Sequence, residues 1–108
     1  MVNIALVCQH GASTGLCQKK MTEAAEKKGI ECVIKAYPDS EMKAITGFAD
    51  CILLGPQLAF KKDTFVKEYP EMAERIVVIP TMDFGMLNGE KILNDTLKRI
   101  EELKKGQG

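Results

Sequence analysis

The sequence predicts an α/β protein: a four-stranded parallel sheet with helices on both faces, in the order βαβαβαβα. Three observations predict it. Four short apolar runs, VNIALV, IECVIKAY, DCILLGP and RIVVI, recur along the chain, as strands of a sheet covered on both faces do. Helix-length, charge-rich segments separate them, so successive strands are joined by right-handed crossovers and run parallel. Glycine or proline punctuates the ends, at Gly29, Pro38, Gly55, Pro56 and Pro80, where the chain has to turn.

Each element follows in order. Residues 2–7, VNIALV, are short and β-branched and read as the first strand. From Ser13 to Lys28 the pattern becomes helical. Leu16, Met21, Ala24 and Ala25 share one face, with Lys19, Lys20, Glu23, Glu26, Lys27 and Lys28 elsewhere, and Gly29 is a natural stop. Residues 30–37 alternate as a second strand, closed by Pro38. Asp39 or Ser40 can cap a short helix over 41–46, since a short polar side chain satisfies the first free N–H groups. Residues 50–56 form the third strand, with a Gly-Pro stop. A helix over 61–69 follows an exposed-looking QLAF stretch, and residues 75–79 are the fourth strand, ended by Pro80. TMDFGMLNG reads as a loop into a final helix over 89–105. There Ile92, Leu93, Leu97, Ile100 and Leu103 form an apolar stripe, and Lys104 and Lys105 suit the negative end of the helix dipole.

At 108 residues the chain suits one domain, 1–108, and a hydrophobic fraction of 45% supplies a core. Fifteen basic and fifteen acidic side chains cancel, which argues against nucleic acid, because phosphate backbones reward a basic excess. No run of about 18 apolar residues offers a membrane-spanning helix. No basic region precedes the first apolar run, so no secretory signal is expected and the cytoplasm is the expected compartment. The four cysteines, Cys8, Cys17, Cys32 and Cys51, show no C-x-x-C spacing, and with one histidine a zinc site would need scattered ligands. Thiols, not disulfides, are expected in a reducing compartment. Cys17 inside a helix and Cys32 and Cys51 in strands read as small buried hydrophobes.

Ligands of such sheets bind outside the carboxyl ends of the strands. Three loops there look specialised: CQHGASTG after the first strand, GPQLAF after the third and PTMDFGMLNG after the fourth. The first carries the sharpest signal. Cys8 ends a strand and a helix begins a few residues later. Unsatisfied N–H groups and the positive end of the dipole make a helix start an anion site. Gly11 and Ala12 let backbone approach closely, Ser13 and Thr14 add hydroxyl donors, and the same field favours the Cys8 thiolate. A thiolate beside a phosphate cradle is what cysteinyl phosphoryl transfer needs. A plain structural role is open for the same residues, with Cys8 as a core residue and Ser13 or Thr14 as an ordinary N-cap. His10 stands equally as a phosphate donor or proton carrier and as an exposed loop residue. Asp83 reads as turn chemistry, with a role as acid left open.

Cysteine-dependent phosphatases carry C-x5-R, whose arginine grips phosphate bidentately. Here that position is Thr14, and the only arginines are Arg75 and Arg99, neither placed to reach the loop. A loop of neutral donors should hold phosphate moderately and release it to an acceptor.

The motifs C-x-x-G-x-S-T after the first strand, LLGPQ at 53–57 and D-F-G-x-L-N-G at 83–89 together resemble the enzyme IIB component of the lactose/cellobiose (chitobiose, β-glucoside) family of bacterial sugar phosphotransferase systems. The resemblance covers nearly the whole chain. It implies a fold similar to the low-molecular-weight tyrosine phosphatases. It also implies a cysteine that accepts a phosphoryl group from the phosphohistidine of a IIA protein and passes it to a sugar imported by a membrane IIC permease. By position that cysteine is Cys8, and the cradle is Gln9, His10, Gly11, Ala12, Ser13 and Thr14. Gln9 and His10 replace the Ser and Ala of typical members. No metal or organic cofactor is implied. Leu58, Phe60, Phe84 and Met86 are candidates for the partner surface, with Phe60 and Phe84 equally placed as core. The competing readings are a free-standing cysteine phosphatase or arsenate-reductase-like enzyme, against which the missing arginine counts, and a non-catalytic phosphate-sensing module. An aspartate-phosphorylated receiver lacks its acidic pair at the end of the first strand.

Overall fold

The computed structural model describes residues 2–8 and 12–107, the side chains of 12–14, 106 and 107 excepted. The elements are β1 (Val2–Cys8), α1 (Ala12–Lys28), β2 (Cys32–Pro38), α2 (Met42–Ile45), β3 (Cys51–Leu54), α3 (Lys62–Glu68), β4 (Ile76–Val78), α4 (Thr81–Gly85) and α5 (Gly89–Gln107). Tighter 3-10 turns over Asp39–Glu41, Pro56–Lys61 and Pro70–Arg75 lead into α2, α3 and β4.

The strands form one parallel sheet in the order β2-β1-β3-β4. Alternate residues of each strand face opposite sides, and the burial follows that alternation. Ile4, Leu6, Cys51 and Leu53 join Cys17, Met21, Ala24 and Ala25 of α1 and Ile92, Leu93 and Ile100 of α5 in one core. Ala5, Val7, Ile52 and Leu54 join Met42, Ile45, Leu58, Phe65 and Met72 in the other. Each fully buried Leu or Ile in these layers contributes about 1.5–3 kcal/mol.

Helices therefore lie on both faces, as the apolar runs predict, and the differences are local. In α1 the buried stripe is Cys17, Met21, Ala24 and Ala25, and Leu16 is exposed. Residues 16 and 21 stand five apart, about 140° around the helix axis, whereas 17 and 21 lie one above the other. β3 ends at Leu54, because Gly55 and Pro56 already start a 3-10 turn. The segment expected as a loop after Pro80 holds the short helix α4, and α5 runs to Gln107.

α1 and α5 pack directly against each other. A side chain on Gly89 would come within 2.5–2.7 Å of the backbone and Cβ of Lys20 and Met21, so the first turn of α5 meets α1 at a point where only hydrogen fits. The Asn88 side chain accepts a hydrogen bond from the Lys91 N–H at 3.3 Å, an ordinary N-cap.

Candidate functional site

The strand order creates the site. From β1 the chain crosses to β2 on one side, then returns to β3 on the other. The connections leaving β1 and β3 diverge there, which opens a crevice at the carboxyl ends of these two neighbouring strands. Val7 is in register with Leu54, and the Gly55 N–H donates to the Val7 carbonyl at 2.9 Å. The next residues of the two strands, Cys8 and Gly55, therefore stand side by side.

Cys8 is on the floor of this crevice, 5% exposed. A β-carbon on Gly55 would lie 3.7 Å from Cys8 Sγ and 2.8 Å from Gln57 Oε1. The missing side chain of Gly55 thus leaves a space bordered by the thiol on one side and by the Gln57 carboxamide on the other. Gln57 is otherwise exposed. The sequence singles out GPQLAF as a specialised loop but assigns neither residue to the site. Only the pairing of β1 with β3, which no local pattern encodes, puts them beside Cys8.

The other thiols are chemically quiet. Burial pushes Cys17 up to about 11, and Cys32 is raised by the same cause. Burial also pushes Cys51 up to about 11, outweighing the pull of Arg99 and Arg75. None of the three is a thiolate near neutral pH, and reactivity follows the thiolate. Their expected role as buried filler fits Cys17 and Cys51, while Cys32 is half-buried.

Arg75 donates to the Asp50 carbonyl at 3.0 Å, at the opposite end of the sheet from Cys8. Both arginines act on Cys51. Two lysines that do stand at the carboxyl end are tied to carboxylates: Lys61 to Asp39 at 2.8 Å, and Lys91 to Asp83 at 2.7 Å and to Asp95 at 3.1 Å. The hydrogen bonds that Lys91 donates to Asp83 and Asp95 raise its pKa, so it remains an ammonium ion. Asp83, read as turn chemistry, is a buried ion-pair partner instead.

Exposed apolar side chains surround the same end of the sheet. Phe60 is 72% exposed and Met86 73%, as expected for a partner surface, and Leu16 and Met82 join them. Leu58, a candidate for that surface from sequence, is buried in one core instead, and Phe84, equally placed as surface or core, is buried in the other. A spacing of two residues from an exposed neighbour does not reveal which way a short 3-10 or α turn points.

Of the predicted cradle, Gln9, His10 and Gly11 lie outside the described residues. Ala12, Ser13 and Thr14 form the first turn of α1, so their backbone N–H groups belong to the unsatisfied helix start that the anion-site reading requires. Among the described residues no group of three or more His, Cys, Asp and Glu side chains could hold a metal ion, and no helix is long and apolar enough to cross a membrane.

Comparison with known proteins bears directly on this arrangement. The profile of the family described as PTS system, Lactose/Cellobiose specific IIB subunit matches residues 3–95. The chain is 36% identical over 97 residues to the PTS system oligo-beta-mannoside-specific EIIB component of Bacillus subtilis, covering 90% of this chain and 94% of that protein. It is 40% identical over 95 residues to the PTS system galactose-specific EIIB component of Lactococcus lactis, covering 83% of this chain and 88% of that protein. Among solved structures, the cellobiose-specific phosphotransferase IIB component of Borrelia burgdorferi superposes with a TM-score of 0.79 at 30% identity, covering 94% of this chain and 93% of the other. The lactose-specific IIB domain of Streptococcus pneumoniae superposes at 0.80 and 17% identity, over 91% and 96% of the two chains. A YwlE mutant from Bacillus subtilis, of the low-molecular-weight tyrosine phosphatase fold, superposes at 0.55 and 11% identity over 96% and 99%, a likeness of fold alone.

Proposed function

This chain belongs to the lactose/cellobiose-specific IIB subunits of the sugar phosphotransferase system, which are phosphotransferases, and we propose that Cys8 is its phosphoryl carrier. Residues 1–108 act as one IIB-type domain. The Cys8 thiolate attacks the phosphorus of a IIA phosphohistidine in line. The S–P bond forms as the N–P bond breaks, the bonding pair returns to the imidazole nitrogen, and the thiol proton ends on that ring. In the second step a sugar hydroxyl attacks phosphorus, the S–P bond breaks, and the hydroxyl proton returns to sulfur. Positioning and electrostatics supply the catalysis. N–H groups of the segment Gln9–Thr14, with the Ser13 and Thr14 hydroxyls and His10, hold the phosphoryl oxygens.

The observation that carries this reading is the place of Cys8: at the switch point of the sheet, beside Gly55, with the other three thiols raised by burial. Arg75 and Arg99 act on Cys51, and Arg75 is bonded to the Asp50 carbonyl at the amino end of the sheet. That distribution supports relay over free-standing hydrolysis. Two macromolecules must reach one sulfur in turn, a IIA protein and a IIC permease, and Leu16, Phe60, Met82 and Met86 are the apolar surface they share. The protein works at the cytoplasmic side of the membrane, held there by its permease. The sugar is of the β-glucoside, cellobiose or lactose type. The relatives are named for three different sugars, oligo-β-mannoside, galactose and cellobiose, as expected where the permease makes the choice.

The test is labelling. With labelled phosphoenolpyruvate, the general phosphotransferase proteins and a IIA protein of this family, wild type should gain one iodine-labile phosphoryl group and Cys8→Ser none. Label retained by Cys8→Ser ends the proposal.

A further inference from the structure

We infer that Gln57 is a catalytic residue of the relay, donating a side-chain N–H to the phosphoryl group on Cys8 Sγ, and that Gly55 lacks a side chain so that it can. The inference rests on Cys8 being the carrier and adds a donor from the neighbouring strand.

Three facts carry it. Cys8 and Gly55 follow the register pair Val7 and Leu54, on the strand faces that point toward α1. Cys8 Sγ and Gln57 Oε1 both lie within 3.7 Å of one point, the position a Gly55 β-carbon would take. Gln57 is an exposed residue whose side chain turns back over its own strand end rather than out to water. A carboxamide carries two N–H donors and one acceptor, and rotation of its last torsion presents either end. A phosphoryl group on Sγ places its oxygens two bonds beyond the sulfur, S–P and then P–O, within reach of the space over Gly55.

The chemistry suits the donor. In the relay the S–P bond forms as the histidine N–P bond breaks, and later breaks as a sugar O–P bond forms. Charge on the equatorial oxygens must be met in both transition states without being trapped between them. Gln57 reaches the group from β3. A neutral amide hydrogen bond is about half as strong as one from a cation, so it assists transfer and still permits release.

Gly55 provides a built-in control. Its backbone, φ −60° and ψ 153°, is open to alanine. An alanine β-carbon would rest at ordinary contact distance from Sγ but collide with the Gln57 carboxamide at 2.8 Å. Gly55→Ala therefore displaces the donor without touching the thiol.

The experiment uses the full chain, a IIA protein of this family phosphorylated from labelled phosphoenolpyruvate, and rapid quench. Gln57→Ala should slow labelling of Cys8 about a hundredfold, the low end of the usual cost of one oxyanion donor. Gly55→Ala should slow it in the same direction with its Tm retained. The double variant should be no slower than Gln57→Ala alone, because both remove one interaction. The Gln57 side-chain amide resonances of wild type should move on phosphorylation. Labelling of Gln57→Ala within twofold of wild type, with those resonances unmoved, overturns the role of Gln57 and leaves Cys8 as carrier. Wild type that never labels on Cys8 overturns both.

Discussion

At the carboxyl end of the sheet one thiol, Cys8, meets a glycine and a carboxamide. At the amino end another, Cys51, opens β3 in the field of Arg75, Arg99 and Asp50. The same functional group sits in two settings, and the charges of Arg75, Arg99 and Asp50 act on Cys51. Around Cys51 the charges build structure. Asp50 accepts from the Asn3 N–H at 2.7 Å, its own N–H donates to the Asn3 carbonyl at 2.8 Å, and Arg75 bonds its carbonyl. These bonds set the start of β1 against β3 and bring in the chain before β4. At the carboxyl end Lys61 and Lys91 are neutralised by carboxylates, and Gly55 and the Gln57 carboxamide are uncharged neighbours of the thiol. A site that must give up its phosphoryl group gains from that weakness.

The largest effect expected from disturbing this contrast is that of moving a cation to the carboxyl end. Gln57→Arg would set a guanidinium where the carboxamide turns over Gly55. Charge-assisted, bidentate bonds to the phosphoryl oxygens are about twice as strong as neutral ones. Loading of Cys8 should persist, while single-turnover discharge to sugar on permease-containing vesicles falls about tenfold or more. Unchanged discharge would mean that neutrality at this end is not what permits release.

A smaller effect is expected at the amino end, and on stability alone. Burial holds the Cys51 and Cys17 thiols up at about 11, against an ordinary thiol value of 9.0. Above pH 9 the unfolded chain releases these protons while the folded chain keeps them. Stability contributed by the neutral thiols is therefore complete below pH 9 and is lost as pH climbs toward 11. Melting of wild type against pH should fall through this window, and Cys51→Ala should flatten part of the fall without altering labelling of Cys8. An identical slope in the variant would show that Cys51 is not held neutral by burial.

How far these features were legible in the sequence depends on the range of the interaction that sets them. Strand and helix order was legible, because apolar runs and glycine or proline stops are local signals. The end of β1 at Cys8 was legible for the same reason. Leu16 is expected on the buried face because composition favours leucine for a core, whereas helix geometry stacks Cys17, and not Leu16, over Met21. α4 was hidden because five residues are too few to display a helical period. Gly55 and Gln57 were quoted within a motif yet given no role, since their nearness to Cys8 exists only once Val7 pairs with Leu54.

The smallest effect separates two helix ends that share one geometry. α1, running away from the site, ends with the Gly29 N–H donating to the Glu26 carbonyl and the Ile30 N–H to the Ala25 carbonyl. α4, beside the site, ends with the Leu87 N–H donating to Phe84 and the Asn88 N–H to Asp83. Both are Schellman stops, which need a left-handed residue. At the amino end that residue is Gly29, φ 68°; at the carboxyl end it is Leu87, φ 52°. Leucine in this region costs about 1–2 kcal/mol, and the partly buried Leu87 side chain packs on the α1–α5 core in return. Gly29→Ala should therefore destabilise by about 1 kcal/mol, since it adds strain and no contact. Leu87→Gly relieves strain and loses apolar contact of similar size, so its net change should stay below about 1 kcal/mol. Denaturant melts of the two variants decide it. A loss well above that of Gly29→Ala for Leu87→Gly would mean that packing, rather than a balance of packing against strain, holds the α4 end in place.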